Sequence, residues 1–270
     1  MAMKFSHAVG YRGKASIDGS PLLCTGGNIN LTQDPIMGSG VWGAGYQNVA
    51  PIAYAWNYLQ LEGSANFELT TGDEWGALKR FAFTNRQNAT LIVLLPDGIN
   101  GFSGSGWCSG LSFEASEGAA ITGSVNFKGD PSGNNITGGS AENTSSMGGY
   151  TSFAGNTLCA YWGAKMVGSG APEDVISWSC SYNSDIQFLK CCKGESSAPL
   201  AADYILLGEQ TGDGSFTTFK IINEFQPKNY HNEIANLQFY VNTERYIGIA
   251  KAIVNSRSTS MATGASYITS

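Results

Sequence analysis

The chain has 270 residues, 42% hydrophobic and 13% charged, with a formal net charge of −6. This apolar content excludes a disordered chain, and the acidic balance excludes a general phosphate-binding surface. No run reaches the ~18 apolar residues a membrane-spanning helix needs.

The 35 glycines, with abundant Ser, Thr and Asn, favour turns and short strands over long helices. A charged fraction about half the usual ~25% suits a surface covered by further copies of the same chain. The opening MAMKFSHAVGYRGK lacks the apolar stretch of a secretory signal, so folding in a cytoplasm is expected. The six cysteines, at 24, 108, 159, 180, 191 and 192, read as free thiols. The adjacent Cys191 and Cys192 have the wrong spacing for zinc, and His7 and His231 are remote.

Residues 15–33 read as a hairpin, turning near Ile17-Asp18-Gly19-Ser20-Pro21 and continuing as a strand from Leu22 to Leu31. Pro35 to Tyr58 then mixes Gly38, Gly40, Gly43 and Gly45 with Trp42, Tyr46, Tyr54, Trp56 and Tyr58. Such a segment is too apolar for a free loop and reads as an extended arm that packs on a neighbouring subunit. Leu59 to Thr70 is a strand carrying Leu61 and Phe67. Thr71-Gly72-Asp73-Glu74 then starts a helix, with Trp75, Leu78, Phe81 and Ala82 on one face and Lys79, Arg80 and Arg86 on the other. Ala89 to Leu95 is a buried strand stopped by Pro96-Asp97-Gly98.

Gly110 to Gly129 is the most informative stretch. Leu111 and Phe113 alternate with Ser112 and Glu114, and Ser116-Glu117-Gly118 supply a turn. Ile121, Gly123, Val125 and Phe127 then alternate with Thr122, Ser124, Asn126 and Lys128. This is the period of strands buried on one face only, which leaves Thr122, Ser124 and Asn126 for a lumen or outer face. Residues 130–156 collapse to Gly, Ser, Asn and Thr and read as a linker. Beyond it, Leu158–Val167, Val175–Asn183, Ile186–Cys192, Leu237–Val241 and Tyr246–Val254 read as strands. Ala201–Gly208 and Ser215–Asn223 read as a hairpin about Gln210-Thr211-Gly212-Asp213-Gly214.

Two stretches recur. Ala252 to Thr269 aligns without a gap on Leu111 to Lys128, 141 residues earlier, setting Val254 on Phe113, Thr263-Gly264-Ala265 on Thr122-Gly123-Ser124, and Ile268 on Phe127. Ser179, Ser181 and Asn183, alternating with Trp178, Cys180 and Tyr182, follow Asn28, Asn30 and Thr32 by 151 residues. A duplicated β module is the simplest account: 1–129, then the linker 130–156, then 157–270.

No catalytic constellation assembles. Gly104-Ser105-Gly106 is a scrambled fragment of a nucleophile elbow, and Glu114 and Glu117 fall on a strand face and in its turn, as two solvated carboxylates. There is no phosphate loop or dinucleotide fingerprint. The expectation is a protein with no catalytic activity, cofactor or metal.

The N-terminal hairpin, the arm, the strand-then-helix unit from Phe67 to Arg86, and the closing run ASEGAAITGSVNFKG together resemble tail tube proteins of tailed bacteriophages. That resemblance implies a mainly β fold of two β-sandwich or half-barrel modules, each with at most one flanking helix. It implies a structural virion protein, made in the host cytoplasm, that self-assembles into stacked rings forming the channel for DNA delivery. A doubled module implies a trimeric ring mimicking six-fold symmetry, a true hexamer being the other form. The implied partners are tape measure, tail terminator and baseplate proteins, with DNA passing through without specific binding and no membrane segment. Two alternatives remain: a distal tail or head-decoration protein, and a carbohydrate-binding β-sandwich using Trp42, Tyr46, Trp56 and Tyr58.

Overall fold

A computed structural model describes residues 14–32, 35–38, 52–56, 60–71, 74–84, 89–94, 101–129, 136–139, 152–153, 158–163, 165–166, 175–189, 204–218, 234–241, 245–256, 259–260 and 268–269. The fold is mainly β and its strand pairings are antiparallel. In the first half, β1 (Lys14–Ile17), β2 (Ser20–Thr32), β5 (Gln60–Glu68), β6 (Ala89–Leu94), β7 (Gly101–Ser116) and β8 (Thr122–Gly129) form a ring. The pairings run β1–β2–β5–β8–β7–β6 and return to β1. The β1–β2 turn is Asp18-Gly19, both at positive φ (47° and 78°), which is how a two-residue hairpin matches the twist of its strands. A separate two-stranded hairpin joins β3 (Pro35–Gly38) and β4 (Ile52–Trp56) within the expected arm.

The interior of the ring is packed by size complementarity. Along β5 and β8 the inward pairs are Leu61–Gly129, Gly63–Phe127, Ala65–Val125 and Phe67–Gly123. A large residue thus faces a glycine, alternately on one strand and the other. All eight are buried. A Cβ built at Gly63 would overlap the Phe127 ring, and one at Gly123 would come within 2.5 Å of Phe67. Phe67 in turn packs edge-on against Phe113, with centroids 6.2 Å apart.

One end of the ring is covered by α1 (Glu74–Lys79), which runs into a wider π turn over Arg80–Thr84. Ala77, Leu78, Phe81 and Ala82 are buried, and Lys79 and Arg80 are exposed, as the sequence periodicity requires. Glu74 is fully buried because its carboxylate caps the helix start, accepting from Thr70 N (2.7 Å) and Thr70 Oγ (2.6 Å).

The second half contains β10 (Cys159–Trp162), β11 (Lys165–Met166), β12 (Val175–Leu189), β13 (Tyr204–Thr218), β14 (Ala235–Tyr240), β15 (Tyr246–Ala252), β16 (Thr259–Ser260) and β17 (Ile268–Thr269). Its pairings β10–β11, β12–β13, β13–β17, β14–β15 and β10–β14 repeat those of the first half in order. In this correspondence β11 and β12 together take the place of β2. The counterpart of the β7–β8 pairing does not occur among the described residues. The β2–β5 register recurs in β12–β13 at one offset. Asn28–Ser64 becomes Ser179–Ser215, and Thr32–Gln60 becomes Asn183–Thr211. The bulge recurs too, between Cys24 and Gly26 in β2 and between Val175 and Ser177 in β12. The sheet β11–β10–β14–β15 packs on the β12–β13 ribbon through Trp178, stacked on Phe239 with centroids 5.1 Å apart.

Several sequence expectations need correction. Residues 204–218 form one continuous strand, with no hairpin turn at 210–214. The glycines there serve close packing instead: a Cβ at Gly214 would lie 2.9 Å from both Leu237 and Phe239. Val175–Asn183 and the strand expected from Ile186 are likewise one strand, β12. The 130–156 stretch is more than a linker. β9 (Ile136–Gly139) pairs with β7. Phe153 also exchanges backbone hydrogen bonds with Leu69 (2.9 Å) and Ile121 (2.8 Å), which seals the end of the ring.

The closing repeat is not a copy of the 110–129 hairpin. Residues 253–256 are in no strand. Thr218 faces Thr269, whereas its counterpart Phe67 faces Gly123, which corresponds to Gly264. The alternation in 252–269 is matched by chemistry but not by register.

Candidate functional site

The seam between the two halves creates one extended sheet. Beyond a bulge at Ser109, β7 leaves β6 and pairs with β12, from Gly110–Asn183 to Ser116–Ser177. Six strands then lie side by side in the order β2, β5, β8, β7, β12, β13. Registered neighbours in antiparallel strands point to the same face, so the outward residues line up in rows across both halves.

One row reads Asn28, Ser64, Asn126, Gly110, Asn183, Thr211. The next reads Gly26, Asn66, Ser124, Ser112, Ser181, Asp213, and a third carries Glu68, Thr122, Glu114, Ser179 and Ser215. Side-chain geometry agrees. Ser64 Oγ donates to Asn28 Oδ1 at 2.8 Å, and the Ser179 and Ser215 hydroxyls meet at 2.8 Å. A Cβ at Gly110 would have Asn126 Nδ2 at 3.2 Å on one side and Asn183 Oδ1 at 3.5 Å on the other.

The face is polar and sparsely charged. Glu62, Glu114 and Asp213 are exposed on it and Glu68 is half-buried, against one cation, the half-buried Lys128. Small hydroxyls and amides can hydrogen-bond water, and the acidic surplus repels phosphate. The opposite face of the same strands is the core, carrying Ala65, Phe67, Leu111, Phe113, Val125, Phe127, Trp178 and Cys180.

Of the sequence candidates, Thr122 and Asn126 are exposed and Ser124 is half-buried, all three on this face. Sequence reasoning had singled out β8 alone. The same alternation of small polar residues in β2, β5 and β13 was the signal that would have found the rest. Of the arm candidates, Tyr54 and Trp56 lie in β4, with Trp56 opposite Pro35, while Trp42, Tyr46 and Tyr58 lie outside the described residues.

Glu114 and Glu117 are both exposed, one on the strand and one in the turn that follows it. Among the described residues no group of three His, Cys, Asp or Glu side chains is placed to hold a metal ion, and no helix is long and apolar enough to cross a membrane. Cys24, Cys108, Cys159 and Cys180 are free thiols. Two of them fasten bulges, Cys24 donating to the Gly26 carbonyl at 3.0 Å and Cys108 to that of Gly110 at 3.3 Å. Burial pushes the Cys180 thiol up to about 11. Such a thiol stays protonated at neutral pH and is no nucleophile. A cleft of about 360 Å³ lies between α1 and β15, lined by Trp75, Phe83, Tyr182, Arg245 and Tyr246 among others. No protein-family model and no curated protein matches this chain.

Proposed function

We propose that this chain is a structural subunit of a phage tail tube, with no catalytic role, which assembles into stacked rings around a channel for DNA. The observation that carries the reading is the uncharged-to-acidic face shared by six strands from both halves. A channel through which DNA slides must avoid holding it, because each neutralised phosphate adds affinity. Rows of Ser, Thr and Asn with an acidic surplus meet that requirement, and the net −6 repeats it in every copy. The recurrence of pairings, register and bulge supports two equivalent modules per chain, hence a ring of three chains with six-fold pseudo-symmetry. The β3–β4 hairpin and the residues around it form the arm that reaches a neighbour. In this reading the protein resides in the virion, beside tape measure, terminator and baseplate proteins.

Electron microscopy of the purified chain tests the proposal. Stacked rings with an axial channel are the expected result. A chain that stays monomeric at high concentration, or forms only amorphous aggregates, would overturn it.

A further inference from the structure

The chain carries an interface inside itself. β12 has a neighbour on each side, β13 and β7. Its counterpart β2, in the same register and with the same bulge, has β5 along Gly26–Thr32 and no strand on its other edge among the described residues. The counterpart of β7 is β15. Each follows the strand it forms a hairpin with, and each carries a bulge after that pairing, at Ser109 in β7 and at Ala250–Lys251 in β15, where Lys251 has φ 55°.

Past its bulge β7 becomes the seam strand, whereas 253–256 pairs with nothing described. Ile253 is 60% exposed and Val254 37%, although Phe113, on which Val254 aligns, is 2% exposed. One module thus shows a bare strand edge, and the other a bare segment of the kind that covers such an edge.

We propose that a second copy of this chain joins the two: residues 251–256 of one copy pair antiparallel with the β2 edge of the next, repeating the β7–β12 seam between chains. The inference rests on the tube reading for the identity of the partner. The seam also sets the register. Phe113 faces Cys180 and Leu111 faces Tyr182. Moving β7 forward by 141 residues and β12 back by 151 sets Val254 against Ile29 and Ala252 against Leu31. Asn255 falls against Asn28 on the other face, where Ile253 joins Asn30. A slip of one residue would set Val254 against an asparagine, and register is specified by such alternation.

Pairing would satisfy the bare backbone groups of both segments and convert 253–256 into strand, as in β-augmentation. The contact joins two different surfaces, so it propagates from copy to copy until a ring closes. It also extends the polar face across each junction without a break.

The test uses the full chain with Asn28→Cys and Asn255→Cys together, under mild oxidation, read on a non-reducing gel beside the unmodified chain. Asn126→Cys with Asn255→Cys serves as the register control. The expected result is a ladder of covalent multimers from the first pair only. In a second variant, Val254→Pro removes a donor from the proposed strand. It should keep the urea midpoint of the parent, since 253–256 is exposed, and need about tenfold more protein to assemble. Rings that form without the ladder and ignore Val254→Pro would overturn the seam and leave the tube reading standing. A ladder without stacked rings would support the seam and overturn the tube. Neither rings nor ladder would overturn both.

Discussion

Ser64 stands opposite Asn28 across β2 and β5 and donates a hydrogen bond to its side chain at 2.8 Å. The relation recurs 151 residues on, where Ser179 and Ser215 stand opposite each other with their hydroxyls 2.8 Å apart. A shared offset in both strands of a pair, with the bulge beside it, is more than alternation alone would produce. It ties together two halves whose sequences are only thinly alike, and it places their polar residues on one face.

The ring interior should tolerate no side chain at Gly63, which faces Phe127 in register. Gly63→Val should cost at least ~1–3 kcal/mol, the range for overpacking a filled core. A partner change of Phe127→Leu should recover part of the loss, because the two positions share one space. Urea denaturation of the two single variants and the double variant measures the coupling, and additive losses would contradict the pairing.

Trp178 holds the second sheet to the long ribbon. It is 2% exposed and lies nearly parallel to Phe239, with 14° between the rings. Trp178→Ala should cost ~3–5 kcal/mol. Trp178→Phe should lose far less, because an aromatic stack remains. Equal losses from the two would show that the stack is not what joins the layers.

Burial raises the Cys180 thiol to about 11 from an ordinary 9.0, and raises the Tyr182 hydroxyl as well. Above pH 9 the unfolded chain gives up protons that the folded chain keeps. The stability from this thiol is therefore complete below that pH and falls as pH rises toward 11, by about 1.4 kcal/mol per unit. Urea midpoints measured across that window should decline, and less steeply in Cys180→Ala. An identical slope in the variant would contradict the assignment.

The elements that a single period describes were legible in the sequence. Phe67, Leu111, Phe113, Val125 and Phe127 are buried where alternation put them, and Leu78 and Phe81 where helical spacing did. The false hairpin at 210–214 came from reading glycine as turn chemistry. At Gly214 the residue is set by Leu237 and Phe239, which are remote in sequence and invisible to any local window. The candidate face was legible only in part for the same reason. Thr122, Ser124 and Asn126 announce a polar side of one strand, but the row joining Asn126 to Asn183 exists only because β7 leaves β6 for β12.

Making the face cationic should make it hold DNA. Ser124→Lys with Asn126→Lys leaves the core of β8 untouched, so assembly should persist. Assembled tubes of this variant should co-sediment with double-stranded DNA at low salt and release it steeply as salt rises, each phosphate contact adding about 0.9 to the slope. The parent should bind none. A variant that assembles and still ignores DNA at low salt would place these residues away from any channel.

The central claim, that the six-strand polar face lines a channel, is tested most directly by a cryo-electron microscopy reconstruction of the assembled chain. The account predicts closed rings in which Thr122, Ser124 and Asn126 face the axis and the β2 edge of each copy meets residues 251–256 of the next. Rings whose axis is lined by another surface, with β8 turned outward, would contradict it.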